Sequence, residues 1–219
     1  MTETTLAHPP ATRARRTPYW LIPTGLVLLS LVPIIAGASR ITGLATGVEQ
    51  TPDNARFVEM PLPVIIHIVG ATIYCLLGAF QFHPGIRRSH PRYHRMAGRV
   101  LIPAGLAAAA SGLWMTEFYE LPAFDQGWLS VVRWVVGIGM FAGLIIAYRA
   151  VRRRDFATHR AWMIRSYAIG IAAGTQVFTS LPLLVIGEPT TLNRAITMTA
   201  GWAINLAVAE WIIRRRPTS

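Results

Sequence analysis

Long apolar runs alternate with short polar, arginine-bearing segments along almost the whole chain. Six runs, at about 20–38, 60–82, 97–116, 128–148, 166–187 and 195–213, come close to the ~20 residues that a helix needs to cross the hydrocarbon core of a bilayer. Glu210 interrupts the last of them, with Arg214 four residues later as an i, i+4 partner at the interface. The pattern predicts an all-α fold: an integral membrane bundle of six transmembrane helices. Residues 1–18, with three prolines and several threonines, read as a disordered tail, 19–216 as one transmembrane domain, and 217–219 as a second tail. The segment 39–59 is the only connection long enough to form a cap over one end. The arginines at 13–16, the first apolar run and Ala36-Gly37-Ala38 also fit a cleaved secretory signal. That run exceeds the roughly 7 to 15 residues of a signal core, which favours a retained first helix.

Composition agrees with the bilayer as solvent. The 219 residues are 53% hydrophobic and only 14% charged, against about 25% charged in soluble domains. The net charge of +11 would suit nucleic acid, but every basic residue is an arginine and the arginines cluster between apolar runs rather than along one soluble face. The charge therefore reports topology, and no nucleic-acid partner is expected. Seventeen of the 21 arginines fall before the first run, within 87–99, within 149–165 and at 214–216, all on one side of a six-span chain. The other side keeps Arg40, Arg56, Arg133 and Arg194, together with seven of the ten acids. The positive-inside rule then puts both termini in the cytoplasm of a bacterial inner membrane protein, with anionic headgroups as the partners of the arginine-rich face. Cys75, the sole cysteine, lies inside an apolar run, which removes intramolecular disulfides, cysteine zinc clusters and redox pairs.

Small and polar positions mark the packing faces. Gly98, Gly105 and Gly112 recur every seven residues in the third run with Ala109 between them, and Gly139, Gly143 and Ala147 form a similar stripe in the fourth. Such stripes let helix backbones approach closely in lipid. In the second run His67, Tyr74 and Gln81 are also seven apart, with Gly70 and Gly78 on the same face, so its polar groups point one way into the bundle. The face Arg165, Ala168, Ala172, Thr175, Thr179, with Gln176 beside it, is the expected counterpart in the fifth run.

Two short motifs echo one another. YHRMAGR (93–99) and THRAWMIR (158–165) each set a His-Arg pair before a run that leaves the arginine-rich side, as an internal repeat would. Together with HIVGATIYCLLGAFQF (67–82), the stretches HPRYHRMAGR and THRAWMIRSYA resemble a bacterial family of multi-pass membrane proteins described as a domain of unknown function, over about residues 60–185. That resemblance implies a multi-pass membrane protein and no particular activity. A looser, fold-level likeness links the paired histidines to transmembrane b-type haem cytochromes.

The candidate chemistry follows. A bis-histidine haem b needs two imidazoles at one depth and cations for the propionates. His94 and His159 meet the depth condition as ligands of the iron, His83 is a third candidate, and Arg95 and Arg160 supply charge beside them. The competing reading makes the His-Arg pairs interfacial anchors that bind lipid phosphate. The polar residues within the membrane that are candidates for chemistry are His67, Tyr74, Gln81, Arg133 and Gln176. His67 is either a neutral side chain hydrogen-bonded to a neighbouring helix or the start of a proton relay through Tyr74 toward Gln81. Arg133 is expected to reach Glu117, Glu120 or Asp125, or to meet an anionic substrate or a quinone carbonyl. No Walker loop, dinucleotide fingerprint, HExxH or GxSxG is present, which leans away from an enzyme. Two classes remain: electron transfer through haem b or a quinone near the cytoplasmic face, or a small-solute transporter or accessory subunit that packs against a membrane partner or a second copy.

Overall fold

The structure, a computed structural model, describes residues 19–187 and 189–215. Both predicted tails, 1–18 and 217–219, lie outside the described residues. Among those residues every regular element is helical. In chain order they are α1 (Leu21–Thr46), α2 (Ala55–Glu59), α3 (Pro61–Ala79), α4 (Pro84–Ser89), α5 (Pro91–Phe118), α6 (Trp128–Arg152), α7 (Phe156–Gly170), α8 (Ala172–Thr179), α9 (Leu183–Ile186) and α10 (Thr191–Arg214).

Five helices among the described residues are long and apolar enough to cross a membrane: α1, α3 with the 3₁₀ turn that extends it to Phe82, α5, α6 and α10. Prolines sit where they cost little at several starts, in the first turns of α3, α4 and α5, because the N–H they lack there has no helical acceptor anyway. Large apolar side chains such as Leu28, Val32, Ile35, Val135, Ile138 and Val208 stand exposed on the outer faces. That distribution is inverted relative to a soluble protein and suits a lipid surround.

The 166–187 run departs from one uninterrupted helix. Its helical path starts ten residues earlier, at Phe156, and breaks at Ile171 between α7 and α8. Two observations explain the break. The Gly174 N–H bonds to the Ile171 carbonyl at 3.0 Å, a tighter turn than the α pattern, and the Gly170 carbonyl accepts instead from the Cys75 thiol at 3.6 Å. Meanwhile α8 presses against α1 so closely that a Cβ on Gly174 would run into the Leu29 carbonyl. Pro33 leaves that carbonyl without its usual i+4 donor. The backbones meet where α1 has an unsatisfied acceptor and α8 has no side chain.

Packing runs α1–α3–α5–α6–α7, with α10 laid along α7 and α8, and α8 returning to α1. The buried centre is Tyr74, Cys75, Leu101, Ala109, Met140, Leu144, Tyr167 and Ile171. Tyr74, 1% exposed, threads its ring between Gly105 of α5 and Gly170 of α7, where an added Cβ would come within about 3 Å of it. Tyr167 lies over Gly78 in the same way and donates its hydroxyl to the Cys75 carbonyl at 2.8 Å. These glycines are required by aromatic rings rather than by backbone contact alone. Within the predicted stripes, Gly105, Gly112 and Gly143 make such close approaches, whereas Gly98 meets open space and Gly139 only ordinary contact.

The face Arg165–Ala168–Thr175–Thr179 does not answer α3. It serves α10: Arg165 clasps Glu210 through two bonds of 2.5 and 3.1 Å, and Asn205 bridges the Thr175 hydroxyl and the Ala168 carbonyl. Thr179 donates to the Thr197 carbonyl. Arg214 also reaches Glu210, at 3.7 Å, but as the lesser partner. Spacing of 3.6 residues identifies a polar face and leaves the helix it meets undetermined.

Candidate functional site

The 39–59 segment shows how one end of the bundle is covered. α1 runs eight residues past its predicted end, to Thr46, and Gly47 takes the left-handed conformation (φ 76°) that turns the chain back. The Thr51 N–H bonds to the Asn54 side chain, and α2 then carries Arg56 and Phe57 over the gap between α3, α5 and α6. A second wall comes from 119–127, where the Tyr119 hydroxyl donates to the Met60 carbonyl at 2.6 Å. Burial pushes the pKa of that phenol upward, so it remains a neutral donor.

Behind these walls lies a cavity of about 360 Å³, within the range of roughly 300–1,000 Å³ usual for ligand pockets. His67 and Tyr74 of α3, Arg133 of α6 and Gln176 of α8 all line it, so three helices of the bundle contribute. Gln81 does not. It sits in the 3₁₀ turn at the opposite end of α3, both its amide atoms buried without a partner among the described residues. Arg56, Thr116, Tyr119 and Asp125 add further polar groups, and most of the remaining wall is apolar, including Leu113, Met140, Ile169, Met198 and Trp202.

Each polar group arrives with a defined valence. The His67 Nδ1 lies 2.8 Å from the Ala108 carbonyl oxygen, which can only accept, so Nδ1 carries the proton and Nε2 of the neutral ring is left as an acceptor. The ring fits because Gly112 has no Cβ, which would stand 3.2 Å from the imidazole edge. The Tyr74 hydroxyl is buried and has no hydrogen-bond partner among the described residues. Gln176 is held from one side, its amide donating to the Met198 carbonyl at 3.0 Å while its stem packs against Gly201 of α10. Arg133 reaches Asp125, one of its three expected acids, with one bond of 3.1 Å to the carboxylate and one of 2.9 Å to the backbone carbonyl.

Asp125 is shared. Its other oxygen takes Arg194 of α10 at 2.9 Å, so one carboxylate ties α6 to α10 at the cavity's edge. Arg40 and Arg56 lie 4.4 Å from the centre of the Phe57 ring, as cation–π pairs, and neither has a salt bridge to an acid among the described residues. Burial and then the proximity of Arg40 pull the Arg56 pKa down from its usual value. Of the four arginines of the arginine-poor side, Arg56 and Arg133 thus line the opening, Arg194 is tied to it through Asp125, and Arg40 reaches it through Phe57. The pairing of Arg133 with Asp125 was legible in the sequence, whereas Arg40 and Arg56 had no local signal beyond the scarcity of arginine on that side.

The His-Arg motifs sit at the other end. His94 and His159 are each the fourth residue of their helices, α5 and α7. α6 packs on both helices, which have no more than marginal contact with each other. His159 donates through Nδ1 to the Ala147 carbonyl, 2.9 Å away, since a carbonyl only accepts, and Nδ1 is therefore the protonated nitrogen. His83 is occupied as a helix cap: its Nδ1 accepts the Ile86 N–H at 3.0 Å, its ring lies against Trp20, and its Nε2 is buried without a partner among the described residues. Arg95 and Arg160 are exposed, the latter 3.5 Å from the Ile212 carbonyl. No group of three or more His, Cys, Asp or Glu side chains is arranged for a metal ion among the described residues.

Comparison with known proteins places the chain in a family. Residues 64–213 match the family described as predicted membrane protein (DUF2306), and the chain belongs to it as a multi-pass membrane protein. The match extends beyond the resembling stretch at 60–185 to take in α10. No curated protein and no solved structure matches.

Proposed function

We propose that the protein spans the membrane six times, with α7 and α8 together forming the broken fifth crossing and both termini in the cytoplasm, and that it binds a small solute in a cavity open to the extracytoplasmic side. The arginine distribution supports the orientation, since 17 of 21 arginines fall on the side of α4, the α6–α7 turn and the end of α10. In a bacterium this is the inner membrane, with Arg95 and Arg160 exposed toward anionic headgroups. The observation that carries the binding reading is the convergence of His67, Tyr74, Arg133 and Gln176 on one cavity whose remaining wall is mostly apolar. Intramembrane polar groups are costly unless they are paired or used, and here the Tyr74 hydroxyl and one nitrogen of His67 remain available. Such a pocket in a broken-helix bundle suits a solute transporter or a solute-binding accessory subunit.

The test is occupancy and closure. A single cysteine placed at Thr116, on the cavity wall, should react with a membrane-impermeant maleimide from outside intact cells, and Gly112→Leu should block that reaction by filling the cavity. Labelling only from the cytoplasmic side would reverse the orientation and remove the reading.

A second reading, electron transfer through haem b near the cytoplasmic face, draws on one specific observation. The Ala147 carbonyl fixes the tautomer of His159 and leaves its Nε2 as the ligating nitrogen, the arrangement in which haem and metal-bound imidazoles are held. Protein purified after expression with haem supplementation should then show a reduced low-spin spectrum that His94→Ala and His159→Ala each abolish and His67→Ala spares. A colourless preparation would exclude it.

A further inference from the structure

We infer that the solute is an amphipathic organic anion: an apolar body seated among Leu113, Met140, Met198 and Trp202, with an acidic group held at the arginine rim. The inference rests on the cavity reading above and names the class of its occupant.

The first argument is charge. The extracytoplasmic side of a membrane protein is poor in arginine, and this chain obeys that bias everywhere except at four positions. Arg56 and Arg133 line the cavity, Arg194 joins them through Asp125, and the exposed Arg40 stacks on Phe57 of the wall; Asp125 is the one carboxylate bonded to any of the four among the described residues. Arg133 and Arg194 share that carboxylate. Arg40 and Arg56 bring two guanidinium groups against a single phenyl ring without an acid between them. Like charges gathered in a partly buried place destabilise the empty protein, and an anion between them relieves the repulsion.

The second argument is the wall. Below the rim the lining turns apolar and aromatic, so a small hydrated anion would lose its water without replacement there. An organic anion satisfies both zones. Deeper still, His67 Nε2 accepts and the Tyr74 hydroxyl donates, which lets the far end of the body carry a polar substituent.

The probes are 2-naphthoate and its neutral twin 2-naphthamide, added to the full-length protein in nanodiscs of zwitterionic lipid. Binding is read from quenching of tryptophan fluorescence, with Trp202→Phe identifying the signal that arises at the cavity. Naphthoate should bind at least tenfold more tightly than naphthamide, and Arg40→Gln and Arg56→Gln should each remove most of that preference. Equal binding of the two probes, with Gly112→Leu abolishing both, would overturn the anion inference and leave the cavity reading standing. Binding of neither probe, or quenching that Gly112→Leu does not alter, would overturn both.

Discussion

The two ends of the bundle handle charge in opposite ways. The cytoplasmic end, as proposed, holds most of the arginines, yet Arg95, Arg99, Arg152, Arg153 and Arg160 are exposed and spread out. Its interior is closed by rings: Trp20 against Phe80 and His83, and Phe82 against Tyr167. The opposite end has four arginines, of which two line a cavity and two reach its wall through Asp125 and Phe57. Abundance of a charged residue follows from which side of the membrane it is on. Its arrangement carries the functional information, and scarce residues that cluster say more than common ones that do not.

Tyr74 separates the two ends, so its removal should have the largest effect. Tyr74→Ala empties the seat between Gly105 and Gly170 and should cost about 3 kcal/mol or more of stability, as large-to-small core changes do. Tyr74→Phe should be close to neutral or slightly stabilising, because the hydroxyl it deletes has no partner. Denaturant-induced unfolding of the two variants in detergent measures the difference. A large loss from Tyr74→Phe would mean that the hydroxyl is bonded in the working protein.

Asp125→Asn attacks the mouth alone. Arg133 and Arg194 would each lose a charge-assisted bond, and the cost should be about 2 kcal/mol. The same variant should tighten binding of 2-naphthoate, since one competing carboxylate is gone. Thermal unfolding and the fluorescence titration read the two effects separately.

The smallest effect belongs to the arginine-rich end. Asp155 caps α7, its carboxylate accepting the Thr158 N–H at 3.0 Å, and that bond lowers its pKa. A depressed folded pKa means that the stabilisation is present above the ordinary carboxylate value and fades as the pH falls through the lower folded one, below about 4. Asp155→Asn retains a capping oxygen and should flatten this acid-side slope in melting temperature between pH 6 and pH 3.

How far the sequence could be read depends on whether a feature is local. Apolar length predicted where helices lie, and the seven-residue spacing of His67, Tyr74 and Gln81 predicted a common inward face; two of these three line the cavity. Arg133 and Asp125 lie eight residues apart across one turn, close enough for their pairing to be anticipated. Tertiary choices were not accessible in this way. Near Ile171 only Gly170 and Gly174 hint at a break, and the contacts that accompany it are tertiary: the Cys75 thiol that takes the Gly170 carbonyl and the close approach of α8 to Leu29. Arg165 finds Glu210 forty-five residues away, while local spacing had offered Arg214. The rim escaped notice for the same reason, since Arg40 and Arg56 meet only after Gly47 folds the chain back.

The thiol that takes up the Gly170 carbonyl has a practical consequence. Cys75 is the only cysteine in the chain, is 7% exposed, and points at a backbone acceptor in the centre of the bundle. Aqueous maleimides and spin labels have no approach to it. The native sequence therefore serves directly as a silent background for site-by-site cysteine substitution, and replacing Cys75 first would add a core mutation where none is needed.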